Sequence, residues 1–190
     1  MVLNAIYIYV DGSCEENRNV TPETPAGWGF CVIEGDNGLG RGHGNLIHEE
    51  SGKVITDGDS EFFLGAEVGS NNTAELSAIA HALRWLLMGN DKKNIIIKGD
   101  SQYAMNIAMG KWKIKANRKL ALRVQDLWNE VLCTKKINCE HIKAHRGHRW
   151  NERADHLAFR AMKGDSALPL QFWKPGNKIE LFIFQWPNTK

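Results

Sequence analysis

The sequence predicts an α/β domain whose site lies at the C-terminal ends of its buried strands, and three observations carry that prediction. Residues 5–10 read Ala-Ile-Tyr-Ile-Tyr-Val, a run of β-branched and aromatic side chains suited to a strand covered on both faces. Residues 95–97, Ile-Ile-Ile, repeat the pattern, and both runs lead into an aspartate, Asp11 and Asp100. Segments with helical apolar spacing follow, which is the layering of helices on a sheet. With 190 residues and 43% hydrophobic content, one globular domain with a proper core is expected.

Composition narrows the class. No apolar run approaches the roughly 18 residues of a membrane span, and the first residues lack a basic-then-apolar leader pattern. A cytoplasmic protein without membrane association is expected. Cys14, Cys31, Cys133 and Cys139 are too few for a disulfide framework in a chain of this size, so free thiols are expected. No repeat at periods of about 20–50 residues is present. The net charge of +2 hides a partition: residues 34–67 hold eight acids against Arg41 and Lys53, whereas residues 111–123 hold six bases and no acid. Lys143, Arg146, Arg149 and Arg153 form a second basic cluster. Such a face suits an anion such as a phosphate backbone, or is a solvated helix surface.

The elements follow in order. After the first strand, residues 14–25 form a polar loop, and residues 26–33 alternate as a second strand that pairs back in a hairpin. Residues 35–60 are glycine-rich and polar and read as a long connection. The run Gly38-Leu39-Gly40-Arg41-Gly42-His43-Gly44 resembles a nucleotide loop only superficially, because no helix opens after it and no Gly-Lys-Ser/Thr follows. Residues 61–68 read as a third, shorter strand. A helix begins at Asn71 with Asn or Thr as its N-cap, and Ala78, Ile79, Ala82, Leu83 and Leu86 form its apolar face. Glu75 falls in its first turn, partly toward the core, where the plain alternative is a carboxylate complementing the helix dipole. The strand at 95–100 is followed directly by a helix from Ser101. A further helix carries Leu120, Leu122, Val124, Leu127, Trp128, Val131 and Leu132, and residues 137–143 read as the last strand. A helix from Asn151 bears Ala154, Leu157, Ala158 and Ala161, with Asp155 in its second turn. Past Gly164 the pattern is irregular, and residues 179–186 offer an added edge strand or a tail that packs on the body or on another chain.

Two clusters could carry chemistry. Cys133, Cys139, His141, His145 and His148 suggest zinc, but the strand residues and the loop histidines lie apart and no Cys-x-x-Cys pair exists. Asp11, Glu75, Asp100 and Asp155 each fall where a strand ends or a helix begins, in contexts that suit one centre. Clustered carboxylates raise one another's pKa unless divalent cations neutralise them. Oxygen-only ligands select hard ions, two Mg²⁺ with Mn²⁺ as a substitute, and a pair about 4 Å apart clamps an in-line phosphoryl displacement.

Tyr-Val-Asp-Gly-Ser-Cys at 9–14, Asn-Asn-Thr-Ala-Glu-Leu at 71–76, Gly-Asp-Ser-Gln-Tyr at 99–103 and His-Arg-Gly-His-Arg-Trp-Asn-Glu-Arg-Ala-Asp at 145–155 together resemble type 1 ribonuclease H (ribonuclease HI). The resemblance covers residues from about 5 to 163. It implies a ribonuclease H-like fold, a five-stranded mixed sheet with strands one to three antiparallel, flanked by helices. In that frame residues 1–164 are the catalytic domain and residues 165–190 a C-terminal extension. It also implies an endonuclease that cuts the RNA strand of an RNA–DNA hybrid duplex, leaving 3′-hydroxyl and 5′-phosphate ends. No organic cofactor is implied, and a monomer is expected.

By the same resemblance, Asp11 would bridge both metal ions, Glu75 and Asp100 would complete the first site, and Asp155 the second. His145 matches the family's mobile-loop histidine, which assists proton transfer or product release. Asn72 and Gln102 resemble minor-groove readers and Ser70 a phosphate-pocket hydroxyl. Cys14 and Asn17 resemble contacts to the RNA, with Asn19 a rival for Asn17. Tyr103 and Trp112 would line the groove for the DNA strand, with Lys113 and Lys115 beside it, or serve in ordinary packing. Thr73 stands where many members have Arg, and the glycine-rich insert at 35–60 and the extension fall outside the pattern. Rival readings are another nuclease of this fold, exonuclease or integrase-like, and a non-catalytic hybrid-binding module.

Overall fold

A computed structural model describes residues 5–89, 93–143 and 146–176. Its elements run β1 (Ala5–Cys14), β2 (Ala26–Glu34), β3 (Asn45–Lys53), α1 (Asn71–Met88), β4 (Asn94–Gly99), α2 (Gln102–Ala108), α3 (Arg118–Leu132), β5 (Ile137–His141) and α4 (Arg149–Lys163). The sheet order is β3-β2-β1-β4-β5. β1 to β3 pair antiparallel, while β4 joins β1, and β5 joins β4, in parallel. This is the five-stranded mixed sheet of the sequence expectation.

β1 is central and covered twice, which is why its sequence is continuously apolar rather than alternating. Ile6, Ile8 and Val10 face the larger core with Phe30, Ile95 and Ile97, under Leu76, Ile79 and Leu83 of α1 and Val124 and Trp128 of α3. Tyr7 and Tyr9 face the other way, with Cys31 and Ile33, under Trp150, Ala154 and Leu157 of α4. Each fully buried side chain of this size stabilises the fold by about 1.5–3 kcal/mol. No helix among the described residues is long and apolar enough to cross a membrane.

Four expectations need correction. The third strand is β3, inside the glycine-rich stretch taken for an insert and connection, and not residues 61–68. β3 lies at the sheet edge and is only partly covered, so its sequence, NLIHEESGK, can be polar and still pair with β2. Residues 61–68 contain apolar side chains because Leu64 and Ala66 pack on the larger core, without joining a ladder. The N-cap of α1 is Ser70, which forms a capping box with Thr73, and not Asn or Thr. α4 begins at Arg149, two residues before Asn151, and β5 stops at His141. Residues 179–186, expected as an added strand or tail, lie outside the described residues.

The start of the C-terminal extension packs on the body. Arg153 of α4, 1% exposed, holds Glu49 of β3 through two hydrogen bonds at 2.8 and 2.6 Å. Its third nitrogen donates to the carbonyl of Leu168 at 2.8 Å, and its guanidinium lies over the buried Trp173 ring at 5.3 Å. A buried guanidinium requires such partners, so α4, β3 and the extension are knitted by one side chain.

Candidate active site

Glycines bring the acids together. Asp11 lies on β1 opposite Gly29 of β2 and is nearly buried, and its Oδ1 accepts the N–H of Gly12 at 2.8 Å. A Cβ on Gly12 would stand 2.4 Å from the Glu75 nitrogen, so only glycine lets the first turn of α1 press against β1. That contact delivers Glu75, nearly buried, to the end of the strand. The Ser70–Thr73 capping box fixes where α1 begins, and the Asn17 side chain accepts the N–H of Asn71 at 3.1 Å. Asp100 follows β4 directly and Ser101 caps α2, so the backbone turns away from the sheet at the acid.

Oxygens of Asp11, Glu75 and Asp100 lie within 4.8 Å of one another. Asp155 is half-buried on α4 and is not in that trio, yet its charge acts on both Asp11 and Glu75. Glycines again permit the approach. A Cβ on Gly29 would meet the Leu157 Cβ at 2.6 Å and the Ala158 nitrogen at 2.7 Å, and one on Gly27 would meet the Ala158 carbonyl at 2.4 Å.

The electrostatics are those of crowded, desolvated carboxyl groups. Burial first, then the charges of Glu75, Asp100 and Asp155, push the Asp11 carboxyl well above the ordinary range. Burial and Asp100 raise Glu75 likewise. Two carboxylates at such distances repel by on the order of 3 kcal/mol at an effective dielectric of about 20. Glu75 Oε2 is buried with no hydrogen-bond partner among the described residues. Three converging carboxyl groups, one with an oxygen that no described group meets, could hold a metal cation.

The remaining predicted residues fall around this centre. Cys14 is half-buried, its thiol donating to the Glu16 carbonyl at 3.2 Å, and Asn17 is exposed. Asn19 adopts a left-handed conformation, φ 51°, while the Asn17 side chain is bonded to the N–H of Asn71 at the start of α1. Ser70 is buried and its hydroxyl accepts the Thr73 N–H. Thr73 is fully buried, with its own hydroxyl donating to the Val68 carbonyl at 2.9 Å, so it offers a phosphate nothing. Asn72 and Gln102 are exposed at the starts of α1 and α2. Tyr103 is half-buried against the larger core, whereas Trp112 is 47% exposed beside the exposed Lys113 and Lys115. His145 lies outside the described residues. The cysteines are free, and among the described residues no cysteine–histidine cluster gathers.

Sequence reasoning missed the glycines that set helix distance. Gly12, Gly27 and Gly29 sit inside strands, where glycine weakens a ladder, and that cost was the available signal of a close backbone approach.

The profile of the RNase H family matches residues 3–163 of this chain. Ribonuclease H of Alcanivorax borkumensis is 30% identical over 83% of this chain and 91% of its own length. A ribonuclease H1 isolated from compost by a metagenomic approach superposes with a TM-score of 0.61 at 25% identity, covering 85% of this chain and 97% of that one. A ribonuclease H1 solved in complex with an RNA/DNA hybrid shares the fold, with a TM-score of 0.60 at 22% identity over 84% of this chain and 97% of that one. With the four motifs, the sheet order and the carboxylate trio all in agreement with that match, the chain belongs to the ribonuclease H family.

Proposed function

We propose that this ribonuclease H hydrolyses the RNA strand of RNA–DNA hybrids endonucleolytically, with Asp11, Glu75, Asp100 and Asp155 as ligands of two Mg²⁺ ions, or Mn²⁺ in their place. The observation that carries the metal assignment is the carboxylate trio within 4.8 Å, with one Glu75 oxygen buried and unpartnered among the described residues. Asp11, central and nearest the strand, would be shared between the ions. Glu75 and Asp100 would complete one site and Asp155 the other. When bound, such ions neutralise the acids, lower the pKa of a water and stabilise charge on the phosphate. Water attacks phosphorus and the bond to O3′ breaks, which leaves a 3′-hydroxyl and a 5′-phosphate.

The chain's own groups then serve position and protons. His145 would take the proton of the attacking water or assist product release. Asn17, Asn72 and Gln102, exposed around the first turns of α1 and α2, offer donors and acceptors to the minor groove and its 2′-hydroxyls. Trp112, Lys113 and Lys115 offer an aromatic face and two charges to the DNA strand. All four acids come from one chain, which supports a monomer as the working unit. Free thiols support a cytoplasmic setting, and hydrolysis by metal and acids requires no organic cofactor.

Labelled RNA–DNA, RNA–RNA and DNA–DNA duplexes, incubated with Mg²⁺ or EDTA, test the reading. Cleavage confined to the RNA of the hybrid, dependent on the ion and abolished by Asp11→Asn with the fold intact, is expected. Near-normal rates for Asp11→Asn in Mg²⁺ would sink the two-ion assignment, and hybrid binding without any cleavage would favour the binding-module reading.

A further inference from the structure

Residues 35–44, the glycine-rich connection between β2 and β3, take no part in the reading above, yet they are built into the start of α4. Asp36 is the anchor, with its side chain fully shielded from solvent. Its Oδ1 accepts the N–H groups of Asn37 and His43, each at 2.9 Å, and its Oδ2 accepts the Tyr9 hydroxyl at 2.5 Å. His148, the residue before α4, stacks on Tyr9 with ring centroids 4.7 Å apart and its Nε2 3.1 Å from the Tyr9 oxygen. The Tyr9 proton is committed to Asp36, so the Tyr9 oxygen takes the Nε2–H of His148. Two more bonds hold the same junction: Arg149 N–H to the Arg41 carbonyl at 2.8 Å, and the Trp150 indole to the His43 carbonyl at 2.6 Å. From the other side, Lys98 of β4 donates to the Gly38 carbonyl at 3.0 Å.

We propose that Tyr9, Asp36 and His148 are positioning residues of the nuclease site, setting the height of α4 along β1 and thereby placing Asp155 opposite Asp11. The inference rests on the nuclease reading. Tyr9 and Asp11 are two apart on β1 and share a face. His148 and Asp155 are seven apart, close to two turns, and so lie on one side of the helix line. Contacts along the interface keep this register. Cys31, opposite Tyr9, donates to the Trp150 carbonyl at 3.4 Å, and Gly29, opposite Asp11, lies under Leu157 and Ala158. Gly27, opposite Ser13, lies under Ala158 and Met162. Strand and helix are both stiff, so an offset at the Tyr9–His148 end is transmitted to the Asp11–Asp155 end. Burial holds His148 toward its neutral form, with Nδ1 buried and unpartnered among the described residues, and its Nε2–H donor aimed at Tyr9. The arrangement is stringent, because removing one partner strands a buried carboxylate or donor.

The test uses the full chain and three variants. Tyr9→Phe keeps the ring stack and deletes the hydroxyl, His148→Ala deletes the donor, and His148→Gln keeps an N–H in reach. Two quantities are read: the rise in Tm on adding Mg²⁺ without substrate, and kcat and KM on hybrid across Mg²⁺ concentrations. Tyr9→Phe and His148→Ala should lower kcat by about 10- to 100-fold, the scale of a misplaced catalytic group. They should demand more Mg²⁺, lose much of the metal-induced rise in Tm, and leave the hybrid KM within about twofold. His148→Gln should recover part of both readouts. A lowered metal-free Tm with wild-type kcat and an undiminished Mg²⁺ rise would mean that the network only stabilises the fold, and would overturn the proposal. Wild type in the same assay separates the two claims. If it fails to cleave hybrid, the nuclease reading falls while the Mg²⁺ shift still reads the placement of Asp155. If it cleaves and Tyr9→Phe equals it in both readouts, only the positioning role falls.

Discussion

Asp11 accepts the N–H of Gly12 and faces the charges of Glu75, Asp100 and Asp155. Its carboxyl and that of Glu75 are both raised, so the folded protein holds protons that the unfolded chain has released. The sign follows: without metal, this contribution to stability is full below the ordinary carboxylate pKa of about 4 and is lost as the pH climbs through neutrality. Asp11→Asn removes the liability. Metal-free thermal melts should show the variant more stable than wild type by at least about 1 kcal/mol at pH 7, with the difference closing toward pH 4. A constant difference across that range would mean the acids are solvated rather than crowded. Adding millimolar Mg²⁺ should raise the wild-type Tm and leave the variant's nearly unmoved. At this scale the trio of Asp11, Glu75 and Asp100 was legible, because each sits in a short local motif. Tyr9, Asp36 and His148 were not, because they are 27 and 139 positions apart and meet only through packing.

At the scale of elements, the site depends on how closely two helices approach β1 and β2. Gly29→Ala places a methyl 2.6 Å from the Leu157 Cβ and 2.7 Å from backbone, so α4 must lift. Overpacking of this kind costs about 1–3 kcal/mol. The activity should fall further than the stability loss explains, since α4 carries Asp155. Gly58→Ala, with nothing within 4 Å of the new methyl, is the matched control and should change neither. Equal single-turnover rates for Gly29→Ala and wild type, at a temperature where both are folded, would remove α4 distance from the account. The helices themselves were legible from apolar spacing, and β1 and β4 from their continuous β-branched runs. β3 was not, because apolar content reports burial, and an edge strand covered on few sides has little of it. The apolar stretch at 61–68 misled for the converse reason: it is partly buried without being paired.

For the whole molecule, the charge partition is weaker in space than along the chain. Glu49 is taken by the buried Arg153, Glu34 by Lys93, Glu67 by Lys119 at 3.8 Å, and Asp36 lies inside the Tyr9 network. Asp57, Asp59 and Glu61 stay exposed, and on the basic side so do Lys111, Lys113 and Lys115 around Trp112, between α2 and α3. Phosphate contacts act alike on ground and transition states, so they govern KM and its salt dependence more than the chemical rate. Replacing these three lysines by alanine should raise KM for hybrid and reduce the salt slope by about one for each lost contact. The rate at saturating substrate should hardly change. A triple variant with the wild-type slope would make the segment a solvated surface and place the grip elsewhere.

Read alone, the sequence determined the class of fold, the central strands, the order of the helices and the three acids that the structure gathers, Asp11, Glu75 and Asp100. These rest on hydrophobic periodicity and on residues adjacent in the chain, which are local properties. Ser70 as the cap of α1, β3 at the edge, the Arg153 knot and the Asp36 anchor were decided by tertiary structure. Each of these depends on which distant group arrives to satisfy a donor, an acceptor or an open strand edge. The distances between the carboxylates belong to the same category. They are set by Gly12, Gly27 and Gly29, whose missing side chains leave room that only the packed helices reveal.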